Sequence, residues 1–133
     1  MKKWIKYVGI TALADVLILM GIPYGSNRGR QKAGQIMKFL NDRSHYYSYL
    51  LGKERGNFPV FDESIYNLNS QYREKALAFY KEFLPEDEYE DLITSSSSGY
   101  MRNAATTTIA PTGTLTSLLG CEGYGYKNAP YKQ

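Results

Sequence analysis

Along the first third of the chain apolar residues recur at steps of three and four and then stop at glycine and proline, the pattern of amphipathic helices separated by turns. Ile5, Val8, Ala12, Val16 and Leu19 form one such stripe, with Thr11 and Asp15 off it, which predicts a buried amphipathic helix. The run Gly21-Ile22-Pro23-Tyr24-Gly25-Ser26 breaks that helix. A second helix is predicted from about Gln31 to Glu54, with Ala33, Met37, Leu40, Tyr47 and Leu51 as its apolar positions. Lys53 and Arg55 offset the negative end of its dipole and Gly56 stops it. Phe58-Pro59-Val60-Phe61-Asp62 is too short and too proline-broken for a central strand, so it reads as an extended connector whose aromatics plug the core.

The pattern continues with a third helix over roughly Gln71 to Phe83, closed by Leu84-Pro85. Glu86, Asp87, Glu88, Glu90 and Asp91 follow the proline and suit the solvated first turn of a helix, whose positive end favours carboxylates. Ser95-Ser96-Ser97-Ser98-Gly99 is a flexible loop by composition. The period then changes. Thr106, Thr107, Thr108 and Ile109 favour extended structure through their branched Cβ atoms, which predicts a strand over Thr106–Ala110 ended by Pro111.

Candidate chemistry sits at the end of that strand. Pro111-Thr112-Gly113-Thr114 leads into Leu115, Leu118 and Leu119, a tight loop feeding a helix start. Gly113 allows close approach by a ligand, Thr112 and Thr114 offer hydroxyls, and unpaired N–H groups at a helix start favour an anion by roughly 0.5–2 kcal/mol. Phosphate is the natural guest, although the same turn and cap also occur where nothing binds. No lysine follows the glycine and no G-x-G-x-x-G is present, so the loop is neither a Walker loop nor a dinucleotide fingerprint.

The wider wording is more specific. Residues 102–115, R-N-A-A-T-T-T-I-A-P-T-G-T-L, resemble the substrate-binding segment of ribonucleotide reductase catalytic subunits, in the style of the adenosylcobalamin-dependent class II. Upstream, Val8-Gly9-Ile10-Thr11-Ala12-Leu13-Ala14-Asp15 with Leu17-Ile18 and Gly21-Ile22-Pro23-Tyr24 is similar to the family's G-V-x-G-x-A-D-x-L-x-x-x-G-I-x-Y helix. Gly52-Lys53-Glu54-Arg55-Gly56-Asn57-Phe58-Pro59-Val60-Phe61-Asp62 resembles its A-K-E-R-G-x-F-P-x-F-D element, and the three stretches keep the family's order.

The resemblance implies an α/β fold, a mostly helical fragment of a ten-stranded α/β barrel: about three helices, then one barrel strand with a phosphate-binding loop. Residues 1–121 would be a partial barrel domain and 122–133 a divergent tail, since the family continues S-S-G-I-E-P where this chain reads Glu122-Gly123-Tyr124-Gly125-Tyr126. Pro111, Thr112, Gly113, Thr114 and Leu115 match the segment that holds substrate phosphates, and no catalytic residue is carried over. Adenosylcobalamin is implied for the assembled enzyme, with none bound by this chain alone. The implied partners are the remaining portion of the catalytic subunit and a ribonucleotide substrate. The family needs a radical cysteine and a separate redox pair, whereas this chain has one cysteine, Cys121, so the expectation is inactivity in isolation. The alternative is a stand-alone or degenerate nucleotide- or phosphate-binding protein without catalysis.

Composition narrows the field further. A net charge of +3 with 16 scattered basic residues gives no nucleic-acid groove, and thirteen tyrosines then suit amphipathic packing better than base stacking. The single cysteine excludes an internal disulfide and suits a reducing, cytoplasmic setting. Residues 1–22 copy the layout of a secretory signal, yet Asp15 interrupts them and they fall short of the ~20 apolar residues of a spanning helix, so no membrane association is expected. His45 stands alone without ligand spacing, so a packed or surface role is expected and no metal.

Overall fold

The computed structural model describes residues 13–108 and Leu118. The chain divides into two compact units, one of Met1–Ile36 with Ile109–Gln133 and one of Met37–Thr108. Among the described residues there are four helices, α1 Leu13–Leu19, α2 Asn27–Arg55, α3 Arg73–Phe83 and α4 Glu86–Thr94, and a 3-10 turn at Phe61–Glu63.

No strand occurs among the described residues, which overturns the expected α/β architecture of about three helices and a barrel strand. Thr106, Thr107 and Thr108 carry no regular structure, and Ile109 and Ala110 lie outside the described residues. The physical reason is that a branched Cβ permits extension but a ladder needs a partner, and no second strand is present among the described residues.

In the first unit, Leu13, Leu17 and Ile22 are buried together, with Tyr24, Ala33 and Ile36 against them. The predicted stripe is rotated: Val16 and Leu19 are exposed, and Leu13, Ala14 and Leu17 face inward. The end of α1 decides this. Ile22 N–H donates to Leu17 O at 2.8 Å and Gly21 N–H to Ile18 O at 2.9 Å, a Schellman closure with Gly21 at φ +66°. That closure folds Ile22 back onto Leu17 and fixes the buried face. Ser26 then caps α2, its Oγ accepting from Gly29 N–H at 3.0 Å and its carbonyl from Arg30 N–H at 3.0 Å. The cap starts α2 at Asn27, a turn earlier than periodicity predicts.

The second unit has an aromatic core of Tyr49, Phe58, Phe61, Leu68, Ala76, Tyr80, Leu84, Leu92 and Met101. Phe58 and Phe61 plug it as expected, edge to face at 5.5 Å, although the connector coils into the 3-10 turn instead of staying extended. The α3 helix stops at Phe83, and Pro85 precedes the acidic first turn of α4, Glu86 to Glu88. On α2 the inward residue is Tyr49, 1% exposed, while Tyr47 is 58% exposed.

Candidate functional site

The candidate phosphate loop, Pro111, Thr112, Gly113, Thr114 and Leu115, lies outside the described residues. What is described is the segment that leads to it and the clamp holding that segment against the second half of α2. The clamp begins at Gly52, where a Cβ would stand 2.7 Å from the Met101 nitrogen. Only a residue without a side chain admits the chain at that distance.

Two polar side chains complete the clamp. Asn57 accepts from Met101 N–H at 2.8 Å and donates to Gly99 O at 3.2 Å, so its amide serves as one rung of a ladder. Phe58 N–H adds a bond to Met101 O at 3.1 Å. Ser48, 2% exposed, takes Arg102 N–H on its carbonyl at 3.0 Å. The Ser48 hydroxyl accepts from the backbone N–H and the side-chain amide of Asn103 at 3.0 and 3.1 Å. The Arg102 guanidinium donates to the carbonyls of Gly56 and Asn57, each at 3.3 Å, where the end of α2 leaves acceptors free. Thr107 Oγ1 reaches Asn41 Oδ1 at 3.4 Å, and Thr106 Oγ1 is buried without a partner.

Gly99 begins the segment at φ +94°, and its face is so close to α3 that a Cβ would meet the Tyr80 hydroxyl at 2.8 Å. That hydroxyl lies 3.1 Å from Tyr66 O and 3.3 Å from Tyr100 O, and burial pushes its pKa up from the ordinary tyrosine value.

Beside the clamp an open cleft of about 340 Å³ is lined by Tyr49, Lys53, Asp91, Leu92, Thr94, Ser95 and Tyr100. Lys53 Nζ donates to Glu88 Oε2 at 2.9 Å, and this bond raises the Lys53 pKa. Tyr49 O–H donates to the same oxygen at 3.4 Å, and burial pushes the Tyr49 pKa up to about 12. Both groups therefore hold their protons at neutral pH and offer donors, not a general base.

His45 is packed between Phe79 and Phe83, ring centroids 4.9 and 5.6 Å away, and burial lowers its pKa. Among the described residues no group of three or more His, Cys, Asp or Glu side chains is placed to hold a metal, and no helix is long and apolar enough to cross a membrane. Sequence reasoning names Gly52 and Asn57 only as carriers of a resemblance and misses Ser48. The signal for Gly52 was available: a glycine inside a helix costs about 0.5–1 kcal/mol and asks for a packing reason.

Residues 7–125 match the family model described as the ribonucleotide reductase barrel domain. The chain is 32% identical to a vitamin B12-dependent ribonucleoside-diphosphate reductase of Thermoplasma acidophilum, over 86% of this chain and 11% of the relative. It is 29% identical to a protein of the same description from Mycobacterium tuberculosis, over 85% of this chain and 12% of the relative. A vitamin B12-dependent ribonucleotide reductase of Agrobacterium fabrum is 26% identical over 89% of this chain and 11% of its own length. The chain thus spans about 11–12% of the curated relatives it matches. No solved structure matches it.

Proposed function

The chain belongs to the ribonucleotide reductase barrel-domain family, and from that premise we propose that it supplies the substrate-phosphate segment of a vitamin B12-dependent ribonucleotide reductase. In this reading the partner is the remainder of the catalytic polypeptide and the substrate is a ribonucleotide. Residues 1–121 act as the partial barrel domain, with 122–133 as a divergent tail. Pro111, Thr112, Gly113, Thr114 and Leu115 hold the phosphates through backbone N–H groups and threonine hydroxyls. Adenosylcobalamin, when bound by the assembled enzyme, supplies the radical chemistry. This chain's part is to bind and orient. With Cys121 as its one cysteine it lacks the thiols for reduction, so the isolated chain is inactive.

The observation that carries the reading is the clamp. Two of the three stretches that resemble the family meet at Arg102, whose guanidinium donates to the carbonyls of Gly56 and Asn57 and whose backbone nitrogen stands 3.2 Å from where a Cβ on Gly52 would lie, so the resemblance falls on residues with a definite mechanical role. Replacing the matching segment of the Thermoplasma acidophilum reductase by residues 7–121 of this chain tests it. The chimera is expected to reduce ribonucleoside diphosphates, and Gly113→Val within it to raise KM at least tenfold. A chimera that folds cooperatively and binds cobalamin but reduces nothing overturns the proposal.

A further inference from the structure

Within the second unit α2 has two covered sides. His45 and Tyr49 face α3, with His45 between Phe79 and Phe83 and the Tyr49 ring 6.0 Å from that of Tyr80. Ser48 and Gly52 receive residues 99–103. A third side remains. Leu40, Arg43, Tyr47 and Leu51 follow one another at steps of three and four, which at about 3.6 residues per turn sets them in one stripe on the side away from His45 and Tyr49. Phe39 stands beside the stripe. Phe39 is 60% exposed and Tyr47 58%, and Leu40 and Leu51, both half-buried, belong to neither hydrophobic cluster of the described residues.

A helix with one solvated side carries charges there, and apolar residues on every side belong to a helix with neighbours all round. The stripe has the content of an interface, because aromatic residues and arginine are enriched at protein contacts while lysine and glutamate are depleted. Its cation points the same way. Lys38 pairs with Asp42 at 3.1 Å, Lys53 with Glu88 at 2.9 Å and Arg55 with Glu54 at 3.3 Å. Arg43 has no carboxylate partner among the described residues and lies over the Phe39 ring at 5.6 Å. The occupant follows from length. Residues 39–51 lie inside the stretch that matches the barrel-domain family, and the chain covers only 11–12% of its relatives' own length.

We infer that Phe39, Leu40, Arg43, Tyr47 and Leu51 form the surface on which the remainder of the catalytic polypeptide seats, presenting an apolar face and a carboxylate that receives Arg43. The inference rests on the proposed function for the identity of the partner, and on the geometry of α2 for the place of contact.

The experiment compares the isolated full chain with the chimera in which residues 7–121 replace the matching segment of the Thermoplasma acidophilum reductase. Hydroxyl-radical footprinting reads the two exposed rings directly. Oxidation of Phe39 and Tyr47 is expected to be at least fivefold slower in the chimera than in the isolated chain. Unchanged rates in the chimera overturn the inference. Slow oxidation already present in the isolated chain overturns it too, because residues 109–133 or a second copy would then cover the stripe. Tyr47→Ser and Arg43→Ala give the energetic reading. Both are expected to leave the melting temperature of the isolated chain within about 1 °C and to lower that of the chimera by at least about 3 °C, since exposed positions tolerate substitution and interface tyrosines and arginines do not. Equal shifts in the two proteins overturn the docking role, as does a chimera without a cooperative transition. Activity separates the two readings. A chimera protected at Phe39 and Tyr47 that reduces nothing fails the proposed function alone, and an active chimera with both rings freely oxidised fails the docking surface alone.

Discussion

A Cβ added to Gly52 would lie 2.7 Å from the backbone nitrogen of Met101, across a sequence gap that no local pattern spans. Two opposing effects bear on Gly52→Ala. Alanine in a helix is worth about 0.5–1 kcal/mol over glycine, while forcing a well-packed backbone apart costs about 1–3 kcal/mol. Because the clashing atom is backbone and is held by Asn57, the second effect wins, and Gly52→Ala is expected to lower stability by about 1–2 kcal/mol. Gly34 is the control, also within α2 but with nothing within 4 Å of its Cβ position, so Gly34→Ala is expected to raise stability by about 0.5–1 kcal/mol. Urea unfolding of the two variants checks the opposite signs.

Gly99 and Tyr80 share one contact, and so their substitutions are expected not to add. Tyr80→Phe leaves the carbonyls of Tyr66 and Tyr100 without their donor and costs about 1–2 kcal/mol. Gly99→Ala suffers twice, from φ +94° and from a Cβ placed 2.8 Å from the Tyr80 hydroxyl. Removing that hydroxyl relieves the second penalty and leaves the first. The double variant is therefore expected to be at least about 0.5 kcal/mol more stable than the sum of the single changes implies. Strict additivity in a double-mutant cycle would show that the close approach has no energetic weight.

The parts of the fold legible in the sequence are those decided locally. Gly56 and Leu84-Pro85 mark the ends of α2 and α3, and the acidic run after Pro85 is the first turn of α4, because capping and dipole effects act within one turn. What was not legible is decided at a distance. The choice of Tyr49 over Tyr47 as the core residue follows from the segment around Tyr100 and Met101, whose arrival beside α2 no 3.6-residue period encodes. The buried face of α1 follows from Ile22 folding back through Gly21, and the strand expected over Thr106–Ala110 needs a partner that periodicity cannot supply. The candidate loop lies outside the described residues, and the side chains that hold residues 99–103 against α2, Ser48 and Asn57, are polar and carry no apolar periodicity.

His45 gives an acid-side prediction. Burial against Phe79 and Phe83 lowers its pKa, with Asp42, the Asn41 backbone and Glu82 opposing. A histidine with a lowered folded-state pKa binds fewer protons folded than unfolded, so stability falls as pH drops below about 6.5. His45→Phe keeps the ring packing and removes this loss. The variant is expected to gain stability relative to wild type between pH 7.5 and pH 5, as read by denaturant midpoints. Titration of the His45 ring by NMR should show a midpoint below 6.5, and a midpoint at or above it would contradict the packed environment.

The cleft predicts the alkaline behaviour. Burial pushes Tyr49 up to about 12, burial also raises Tyr80, and the bond to Glu88 raises Lys53. All three hold protons in the folded state that the unfolded chain releases near pH 10, so their contribution is full below that pH and is lost as pH rises through the folded-state values. For Tyr49 alone the window from 10 to about 12 corresponds to on the order of 2–3 kcal/mol, while the partly exposed Lys53–Glu88 pair adds no more than about 1 kcal/mol. Absorbance at 295 nm is expected to rise in two phases. The later phase belongs to Tyr49 and Tyr80 and comes together with the loss of helical circular dichroism. Glu88→Gln removes a negative charge that raises Tyr49 and the hydrogen bond that raises Lys53, so it narrows the window and brings the second phase to lower pH. A single phase near pH 10 with the helix signal intact would mean that Tyr49 and Tyr80 are open to solvent, which the core packing forbids.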